Sequence, residues 1–589
     1  MNAARTIDPA AESARIAALP IAPPAPPDLT ARYFHRSICG RGDCEWCGRR
    51  LHPTQSAALA TIEAVGGLFG PIGVGHGKTA IVCLAGTAYR ADFVIALTKR
   101  KLIPALVATY EALRRHCKLA PMLPMTYGEL SHANSTGKLD ALAKRYGGGR
   151  LLVVADEVHC LADPKSTRTK RFLRLFESAP NAGFVGVSGT VADHAIKQFA
   201  HLAERALGKR SPVPRPSVAP EAVSAWSACL DAEGKPTPKD WVALGPLFDV
   251  VGERVEHNGR AIGGQYVLTG KARTAWARRA FFKRLSSAPG VVCTTDSSVG
   301  TSLVVRTLAH PSPPPELAKL LTVLERDGVD PRGDAMPSSD DLWRVARHLS
   351  AGFFMAWVWP NGVKDDEWID ARRTWHKAIR AELEEQARPG YDSPFLVTTE
   401  TIRRAARGER DGMIDAWNDW ARVKDRPAPP SVIRWVDTYL VEHAAARALA
   451  SKEPVIVWYE SQAVEAALRA LDLDVYGRGR TIPEEPPGRT IAASWRVHAE
   501  GANLQRAWAK NLVVEPPANG KIWEQLIGRT HRQGQRADEV EVEVYAHTPA
   551  FRHALKQGQR RADFAEDSLG NRQKLNIATY IDEEGEDDD

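Results

Sequence analysis

One glycine-rich segment has the residue types and the spacing that phosphate binding requires. It contains Gly75 and Gly77 and ends in Lys78 and Thr79, just before a helical pattern. Glycines let backbone N–H groups surround a phosphate chain, a lysine can reach the β- and γ-phosphates, and a threonine hydroxyl can hold Mg²⁺. The segment alone identifies a nucleotide site only weakly, because the strict pattern has glycine where this chain has Ile72.

Two adjacent carboxylates follow an apolar run at residues 151–155. Open α/β sheets bind ligands at the carboxyl ends of their strands, which is where Asp156 and Glu157 would lie. Asp156 can bind Mg²⁺, and Glu157 can polarise an attacking water. The alternative is a strand that ends in an acidic turn, and the presence of Lys78 and Thr79 upstream disfavours it.

Two arginines lie three residues apart in a segment rich in glutamine and glycine, residues 525–535. A planar guanidinium matches the charge that spreads over a transferring γ-phosphate, so Arg529 and Arg532 are candidates for that role. A basic surface helix would explain the arginines but not the glycines and glutamines around them. Because the segment belongs to a second series of elements, we expect ATP to bind between two domains.

Two series of short apolar runs predict the elements that position these residues. The first series is 93–98, 151–155 and 183–188, and the second is 454–459, 489–493, 511–514 and 540–545. Such runs between helical patterns indicate buried parallel strands. The sequence therefore predicts an α/β fold with two layered domains and a long insertion between them.

The insertion, residues 206–440, holds eleven of the sixteen tryptophans and has helical periodicity. From Trp368, apolar residues recur on one helix face, and the opposite face carries Arg373, Lys377 and Arg380. We interpret the tryptophans as core. The cationic face is either a solvated surface or a contact for nucleic acid.

Composition excludes several classes of protein. The chain has 589 residues, a formal net charge of +7 and 44% hydrophobic residues, which is ordinary for a globular protein. No run approaches the length of a membrane span, and the N-terminus lacks the apolar centre of a signal peptide. Eight cysteines without a secretory signal favour a reducing cytoplasm over a disulfide scaffold.

Both ends of the chain have unusual composition. Residues 1–30 are rich in alanine and proline and are predicted to be a disordered arm. Residues 549–589 are predicted to be a tail, and its last eight residues include seven acids, so the chain before them carries a formal charge of +14. This basic body suggests a polyanionic partner, for which the tail would compete; the alternative is that the tail only solubilises a mildly basic enzyme. In residues 31–50, thiolates and an imidazole could hold Zn²⁺, with free thiols as the alternative; the candidate ligands are His35, Cys39, Cys44 and Cys47.

In their order along residues 51–548, these motifs resemble superfamily-two helicases, and within them the Snf-type (sucrose non-fermenting) ATPases. Segment 525–535 is the most discriminating match, and Val158 inside the acidic box departs from the family pattern. The resemblance implies that Gln55 recognises adenine and that Gln525 contacts the nucleotide. It further implies a DEAH-like box with His159 and a set of residues that contact DNA or couple it to hydrolysis: Thr98, Lys99, Ser188, Thr190 and Gly501.

The resemblance also implies a domain organisation and an activity. Two RecA-like P-loop lobes would occupy residues 51–205 and 441–548, with helical protrusions at 206–440. The protein would be an ATP hydrolase that moves along duplex DNA, in the cytoplasm of a bacterial cell or of a phage-infected host.

Three other activities are compatible with parts of the same pattern. A helicase that separates DNA or RNA strands would share the ATPase core. A DNA-binding clamp gated by ATP would not need the water-activating Glu157 or the arginine pair. A small-molecule kinase would not need the arginines on a second lobe, and we disfavour it.

Overall fold

The protein is α/β, with parallel strands in its two large sheets and about half of its residues in helices. The computed structural model describes residues 7–24, 26, 28–35, 49–73, 76–132, 135–189, 191–249, 255–257, 260–262, 270–294, 299–360, 362–385, 391–483, 488–501 and 503–582.

The first sheet has five parallel strands. In chain order they are β1 (Leu68–Pro71), β2 (Phe93–Thr98), β3 (Met122–Thr126), β4 (Leu151–Asp156) and β5 (Gly183–Ser188). Their spatial order is β1-β5-β4-β2-β3. Three of them, β2, β4 and β5, confirm the buried parallel strands that the first apolar series predicted. Such strands are apolar along their length because helices cover both faces of the sheet.

The second large sheet has seven parallel strands, and a hairpin and a further antiparallel pair complete the β structure. The remaining strands in chain order are β6 (Val255–His257), β7 (Arg260–Ile262), β8 (Ser302–Leu308), β9 (Phe353–Trp357), β10 (Ser431–Trp435), β11 (Val455–Tyr459), β12 (Asp474–Tyr476), β13 (Ile491–Ser494), β14 (Lys510–Val513), β15 (Glu539–Tyr545) and β16 (Thr579–Asp582). The large sheet has the order β12-β13-β11-β14-β15-β8-β16, while β6 pairs with β7 and β9 with β10. The second predicted series of strands is confirmed as β11, β13, β14 and β15.

Helices cover the sheets and form most of the insertion. Those associated with the first half of the chain are α1 (Pro9–Ala17), α2 (Thr30–Tyr33), α3 (Pro53–Val65), α4 (Lys78–Tyr89), α5 (Ile103–Leu113), α6 (Tyr127–Ser131), α7 (Ser135–Tyr146), α8 (Thr167–Ser178), α9 (Ala200–Leu207), α10 (Pro220–Leu230), α11 (Pro238–Asp249) and α12 (Gly270–Ser286). The others are α13 (Pro315–Asp327), α14 (Ser339–Ser350), α15 (Asp366–Glu385), α16 (Pro394–Ala406), α17 (Gly412–Val423), α18 (Tyr439–Ala450), α19 (Gln462–Ala470), α20 (Trp495–His498), α21 (Gly520–Ile527), α22 (Pro549–Leu569) and α23 (Lys574–Ile577). Short 3₁₀ helices occur at Arg100–Leu102, Val158–Leu161, Ile196–Gln198 and Gly208–Arg210.

Residues 549–582 do not form the predicted tail. They form α22, α23 and β16, and β16 pairs with β8 at the edge of the second sheet. The helix α22 buries one apolar face, which includes Phe551 and Phe564. The prediction of a tail was wrong because it overlooked these apolar residues, which recur at helical spacing between charged residues. The acidic residues 583–589 lie outside the described part of the chain.

The predicted disordered arm is also ordered in part. Asp8 caps the N-terminus of α1, and Ile16 of this helix is fully buried in the first core. The carboxylate of Glu12 is 1% exposed and pairs with Arg15 and Arg215 at 2.8 and 2.9 Å. These contacts with distant residues hold the segment in place, and composition alone does not reveal them.

The predicted insertion divides into three parts. Residues 206–249 and 270–294 pack on the first sheet, with Trp226 and Trp276 in its core. Strand β8 joins the second sheet, although it lies within the range assigned to the insertion. The third part comprises the helices α13 to α17 and the antiparallel pair β9–β10. Of its tryptophans, Trp368 and Trp375 are buried as the sequence indicated, whereas Trp357 is exposed and the others are half-buried: Trp343, Trp359, Trp417, Trp420 and Trp435.

A membrane-spanning helix is not found among the described residues, since no helix there is both long and apolar enough.

The buried carboxyl of Glu515 should make stability depend on pH. Its Oε2 accepts hydrogen bonds from the backbone N–H groups of Glu460 and Ser461, at 2.6 and 2.8 Å. Burial, followed by repulsion from Glu460, raises the pKa of Glu515 to about 7. A raised pKa in the folded state favours the protonated form, so the contribution of this group to stability is lost as the pH rises through about 7.

We therefore expect Glu515→Gln to raise the melting temperature at about pH 8.5 and to have little effect at about pH 4, where both states are protonated. The glutamine oxygen can accept the same two hydrogen bonds, and calorimetry across the pH range measures the difference. The matched control is Glu539→Gln, a change at an exposed carboxylate. An equal shift at both pH values would contradict the assignment.

Candidate functional site

A cavity of about 370 Å³ lies between the two large sheets. On one side it is lined by Gly73 and Gly189, which follow β1 and β5. On the other side it is lined by Arg529 and Arg532, which follow α21. The carboxyl ends of two parallel strands therefore open onto the cavity, which is the usual position of ligands in such sheets.

The glycine-rich segment forms the loop between β1 and α4. Gly77 has a φ of +67°, and a Cβ there would lie 2.1 Å from the Nε2 of Gln55, so the position requires glycine. The Nζ of Lys78 donates to the carbonyl oxygens of Ile72 and Gly73, at 3.2 and 3.1 Å. The lysine ammonium thus lies over the loop on which phosphates would bind.

Ile72, which departs from the strict loop pattern, has a structural explanation. Its side chain is fully buried in the core beneath the first sheet, together with Leu68 and Ile81. The residue therefore anchors the start of the loop, and the loop's glycines begin one position later. Gly75 lies outside the described residues.

The structure places Gln55 against the loop. Its Oε1 accepts from the backbone N–H of His52 at 2.8 Å, and its Nε2 donates to the carbonyl oxygen of Gly77 at 3.1 Å. Both ends of the amide are bound to protein atoms, so Gln55 supports the glycine-rich loop. The predicted contact with adenine would require at least one of these hydrogen bonds to be exchanged.

The two carboxylates after β4 have different environments. Asp156 is 6% exposed, and the hydroxyl of Thr98 donates to its Oδ2 at 3.3 Å. Burial and the neighbouring charge of Glu157 raise the pKa of Asp156 to about 6. A cation would relieve this unfavourable burial of charge, which fits the predicted role of Asp156 in holding Mg²⁺.

Glu157 belongs to a hydrogen-bonded group of three side chains. Ser188, at the end of β5, donates to Glu157 Oε2 at 3.0 Å, and the Nδ1 of His159 lies 2.8 Å from Ser188 Oγ and 3.2 Å from Glu157 Oε2. Although burial acts in the opposite direction, the contact with His159 and the charge of Lys78 hold the pKa of Glu157 well below its usual range. Glu157 therefore stays ionised and can accept a hydrogen bond from water.

His159 is the third member of this hydrogen-bonded group. Burial lowers the pKa of His159 to about 4, so the imidazole is neutral near pH 7. Glu157 has a φ of +58°, an uncommon conformation for a residue other than glycine, and its hydrogen bonds hold it there. The structure thus links the acidic box to the predicted coupling segment at Ser188. Thr190, the next predicted residue, lies outside the described residues.

Glu500 joins residues of both halves across the cleft. Its Oε1 lies 2.5 Å from the Nζ of Lys99 and accepts from the Nε2 of Gln525 at 3.0 Å, and Lys101 is 3.3 Å from Oε2. Burial opposes ionisation, but the charge of Lys99 lowers the pKa of Glu500 to about 2. Gly501, next in the chain, has a φ of +97° that suits glycine. Lys99 and Gln525, which were predicted to contact DNA and nucleotide, both contact Glu500 in this structure.

The arginines predicted to act across the cleft lie in the turn that follows α21. Arg529 is 7% exposed, and its Nε donates to the carbonyl oxygen of Gln525 at 3.1 Å. Arg532 donates to Oδ1 of Asn503 at 2.7 Å. Burial and then the charge of Arg532 lower the pKa of Arg529 to about 10, and Glu500 and Glu157 oppose this shift. Both guanidinium groups remain cationic near neutral pH.

Three residues that were not predicted extend the site: Thr294, and Asn571 and Gln573 after α22. The backbone N–H of Gly73 donates to Oγ1 of Thr294 at 2.7 Å, and Nδ2 of Asn571 donates to the carbonyl oxygen of Gly189 at 3.3 Å. Gln573 lines the cavity beside Asn571. These residues close the cavity, and no local pattern indicated them, since Asn571 was assigned to the tail.

Lys521 is a fourth residue that the sequence analysis missed. It lies four residues before Gln525 and eight before Arg529, so the helical spacing could have identified it. Burial, and then repulsion from Lys99, lowers the pKa of Lys521 to about 8, while Cys160 and Glu500 act in the other direction. Its ammonium therefore adds to the positive charge around the acidic box.

The predicted zinc ligands fall largely beyond the described residues. Cys39, Cys44 and Cys47 are not described, and His35 is half-buried with its backbone N–H bound to the carbonyl oxygen of His116 at 2.8 Å. Within the described ranges no cluster of three or more histidine, cysteine or acidic residues is arranged to hold a metal ion. The zinc site stays a prediction.

Comparison with known proteins adds no assignment: no family model matches the chain, and no curated protein gives a significant match.

Proposed function

We propose that this protein is a DNA-dependent ATP hydrolase of the Snf type, built on two RecA-like lobes around the two large sheets. One observation carries the proposal. The phosphate loop on one side and Arg529 with Arg532 on the other line a single cavity, and the charges of Lys78 and Arg529 both act on Glu157. Phosphoryl transfer to water needs this combination of positioning and charge neutralisation.

The residues of the glycine-rich loop and of the end of β4 fit ATP and Mg²⁺. Lys78 and the backbone of the loop suit a phosphate chain, and the Thr79 hydroxyl and the buried carboxylate of Asp156 would hold the metal. Mg²⁺ would neutralise negative charge on the phosphates when bound. The raised pKa of Asp156 supports this assignment, because a carboxylate buried without a cation is electrostatically unfavourable.

Each remaining step is assigned to a residue of this chain. Lys78 would exchange the carbonyl oxygens of Ile72 and Gly73 for phosphate oxygens. Glu157, ionised and held by Ser188, orients the attacking water and accepts its proton as the water oxygen bonds to the γ-phosphorus. The bond from that phosphorus to the bridging oxygen breaks, and the leaving charge stays on ADP, while Arg529 stabilises the transferring group.

The contacts across the cleft suggest how hydrolysis could act on DNA. Lys99 and Gln525 share Glu500, so a nucleotide that draws Gln525 away would also change the position of Lys99. Movement of the two sheets relative to each other would then alter the surface that contacts the DNA backbone. Duplex DNA is the proposed partner, on the strength of the resemblance of the motifs to those of Snf-type enzymes.

The test is steady-state ATP hydrolysis without nucleic acid and with single-stranded DNA, duplex DNA or RNA. We expect strong stimulation by duplex DNA, and we expect Lys78→Ala to abolish turnover while Lys144→Ala, a change at an exposed lysine of α7, leaves it intact. A preference for single strands or RNA would favour a strand-separating helicase. The proposal would be refuted if no nucleic acid stimulated turnover, or if turnover equalled the Lys78→Ala background.

A further inference from the structure

A groove on the insertion combines aromatic and cationic side chains. It has a volume of about 360 Å³ and lies between the end of β9 and the helix α15. Its walls are formed by Trp357, Trp368, Arg372, Arg373, His376 and Arg380. This volume is within the range of pockets that bind small organic groups.

The aromatic wall is held rigidly. Trp357 is 37% exposed, and its ring centroid lies 6.2 Å from that of Trp368 and 6.1 Å from that of Trp359, with near-perpendicular planes. Trp368 in turn packs against Trp420 at 5.7 Å. Because its neighbours fix the indole of Trp357, a planar ligand could stack on it with little further loss of conformational freedom.

The cationic wall has positive charge that the protein only partly neutralises. Arg373 is highly exposed and has an exposed partner, Asp370, at 3.4 Å, and such a pair is worth little in water. Among the described residues Arg380 has no ion-pair partner. Burial and then the charges of Arg372 and Arg380 lower the pKa of His376, so its imidazole is neutral near pH 7 and the arginines supply the positive charge of the groove. An anion in the groove would be attracted by these guanidinium groups.

Trp368 also lines the groove, beside Trp357. It is 5% exposed, so its ring forms part of a buried aromatic floor rather than a second stacking surface. The ligand should therefore combine a flat apolar surface for Trp357 with negative charge for the arginines.

We propose that this groove binds single-stranded nucleic acid, with a base stacked on Trp357 and phosphates near Arg373 and Arg380. Duplex bases are already stacked on one another, so the exposed indole selects an unpaired strand. An acidic protein segment would use the arginines but would leave the aromatic plane unused. The inference goes beyond the proposed function because it requires neither ATP nor its hydrolysis.

The experiment measures binding of labelled oligothymidine and oligouridine of about 15 nucleotides by fluorescence anisotropy without ATP, with the Lys78→Ala protein as host. We expect Trp357→Ala to weaken binding about tenfold or more, and Trp357→Phe to retain most of the affinity because it keeps an aromatic plane. Arg373→Ala/Arg380→Ala should reduce the slope of log affinity against log salt by about 1.4.

The matched control is Arg326→Ala/Arg344→Ala, which removes two exposed arginines from α13 and α14 and should change neither affinity nor slope. Circular dichroism and thermal melting establish that each variant is folded. Cross-linking of a 5-iododeoxyuridine oligonucleotide should label a peptide that contains Trp357. The proposal is overturned if all variants bind alike, if cross-links map only elsewhere, or if the groove changes impair binding of polyglutamate but not of oligonucleotides. These binding measurements do not depend on ATP hydrolysis, so they would stand even if the wild-type protein had no ATPase activity.

Discussion

Replacement of Arg529 with alanine is expected to lower the turnover number for ATP about 10³-fold or more, with a much smaller effect on KM. An arginine that stabilises a transferring phosphoryl group contributes about this much to the rate, because it acts mainly in the transition state. Steady-state kinetics with saturating DNA measures the two parameters separately. Arg529→Lys should rescue little activity, since an ammonium lacks the planar fork that matches phosphate oxygens.

Stability gives a second criterion for the same variant. Arg529 is almost fully buried, and its lowered pKa means that the protein holds this cation at a cost. Removal of the charge should therefore leave the melting temperature nearly unchanged, which separates a role in the reaction from a role in folding. The control is Arg536→Ala, an exposed arginine seven residues further along. Wild-type turnover by the Arg529→Ala protein would contradict the assignment.

The parts of the fold that could be predicted are those with a local pattern. The apolar runs at 151–155 and 183–188 became central strands because a strand buried on both faces must be apolar throughout. Asp156 and Glu157 could be located because they follow such a strand directly. Lys78 and Thr79 could be located because α4 begins at Lys78, directly after the glycine-rich loop.

The parts that escaped prediction depend on contacts between distant residues. β8 and β16 pair with each other although more than 250 residues of chain separate them, and neither neighbourhood carries a signal of the partner. Thr294 and Asn571 reach the loops after β1 and β5 for the same reason. Polar hydrogen bonds across a cleft have no periodicity, so only the folded chain reveals them.

Substitution of Asp392 with alanine is expected to cause the largest loss of stability, about 3–5 kcal/mol in the free energy of unfolding. Asp392 lies between the insertion helices α15 and α16 and pairs with Arg171 and Arg174 of α8, at 2.9 and 2.8 Å. The side chains of Asp392 and Arg171 are each only 1% exposed. Its removal would leave a buried guanidinium without its counter-ion, and that uncompensated charge is the source of the cost.

The neighbouring pair of Lys165 and Glu384 provides the matched control, because it joins the same two regions at the surface. Its side chains are 66% and 48% exposed, so Glu384→Ala should cost less than about 1 kcal/mol. Thermal and urea unfolding measure both variants. Equal losses of stability in the two variants would show that burial does not determine how much an ion pair contributes at this interface.

The contacts of Asp392 with Arg171 and Arg174 also determine how stability depends on pH. Burial opposes ionisation of Asp392, but Arg171 and Arg174 outweigh it and lower the pKa of the carboxyl below its ordinary value. The stability that the pair contributes is therefore present above the ordinary pKa of an aspartate and is lost as the pH falls through the lowered value. Since Asp392 attaches the insertion to the first sheet's helices, acid should loosen this attachment before the cores unfold. The double variant Arg171→Met/Asp392→Leu, which buries no unpaired charge at these two positions, should lose less stability than Asp392→Ala and should lack this acid sensitivity.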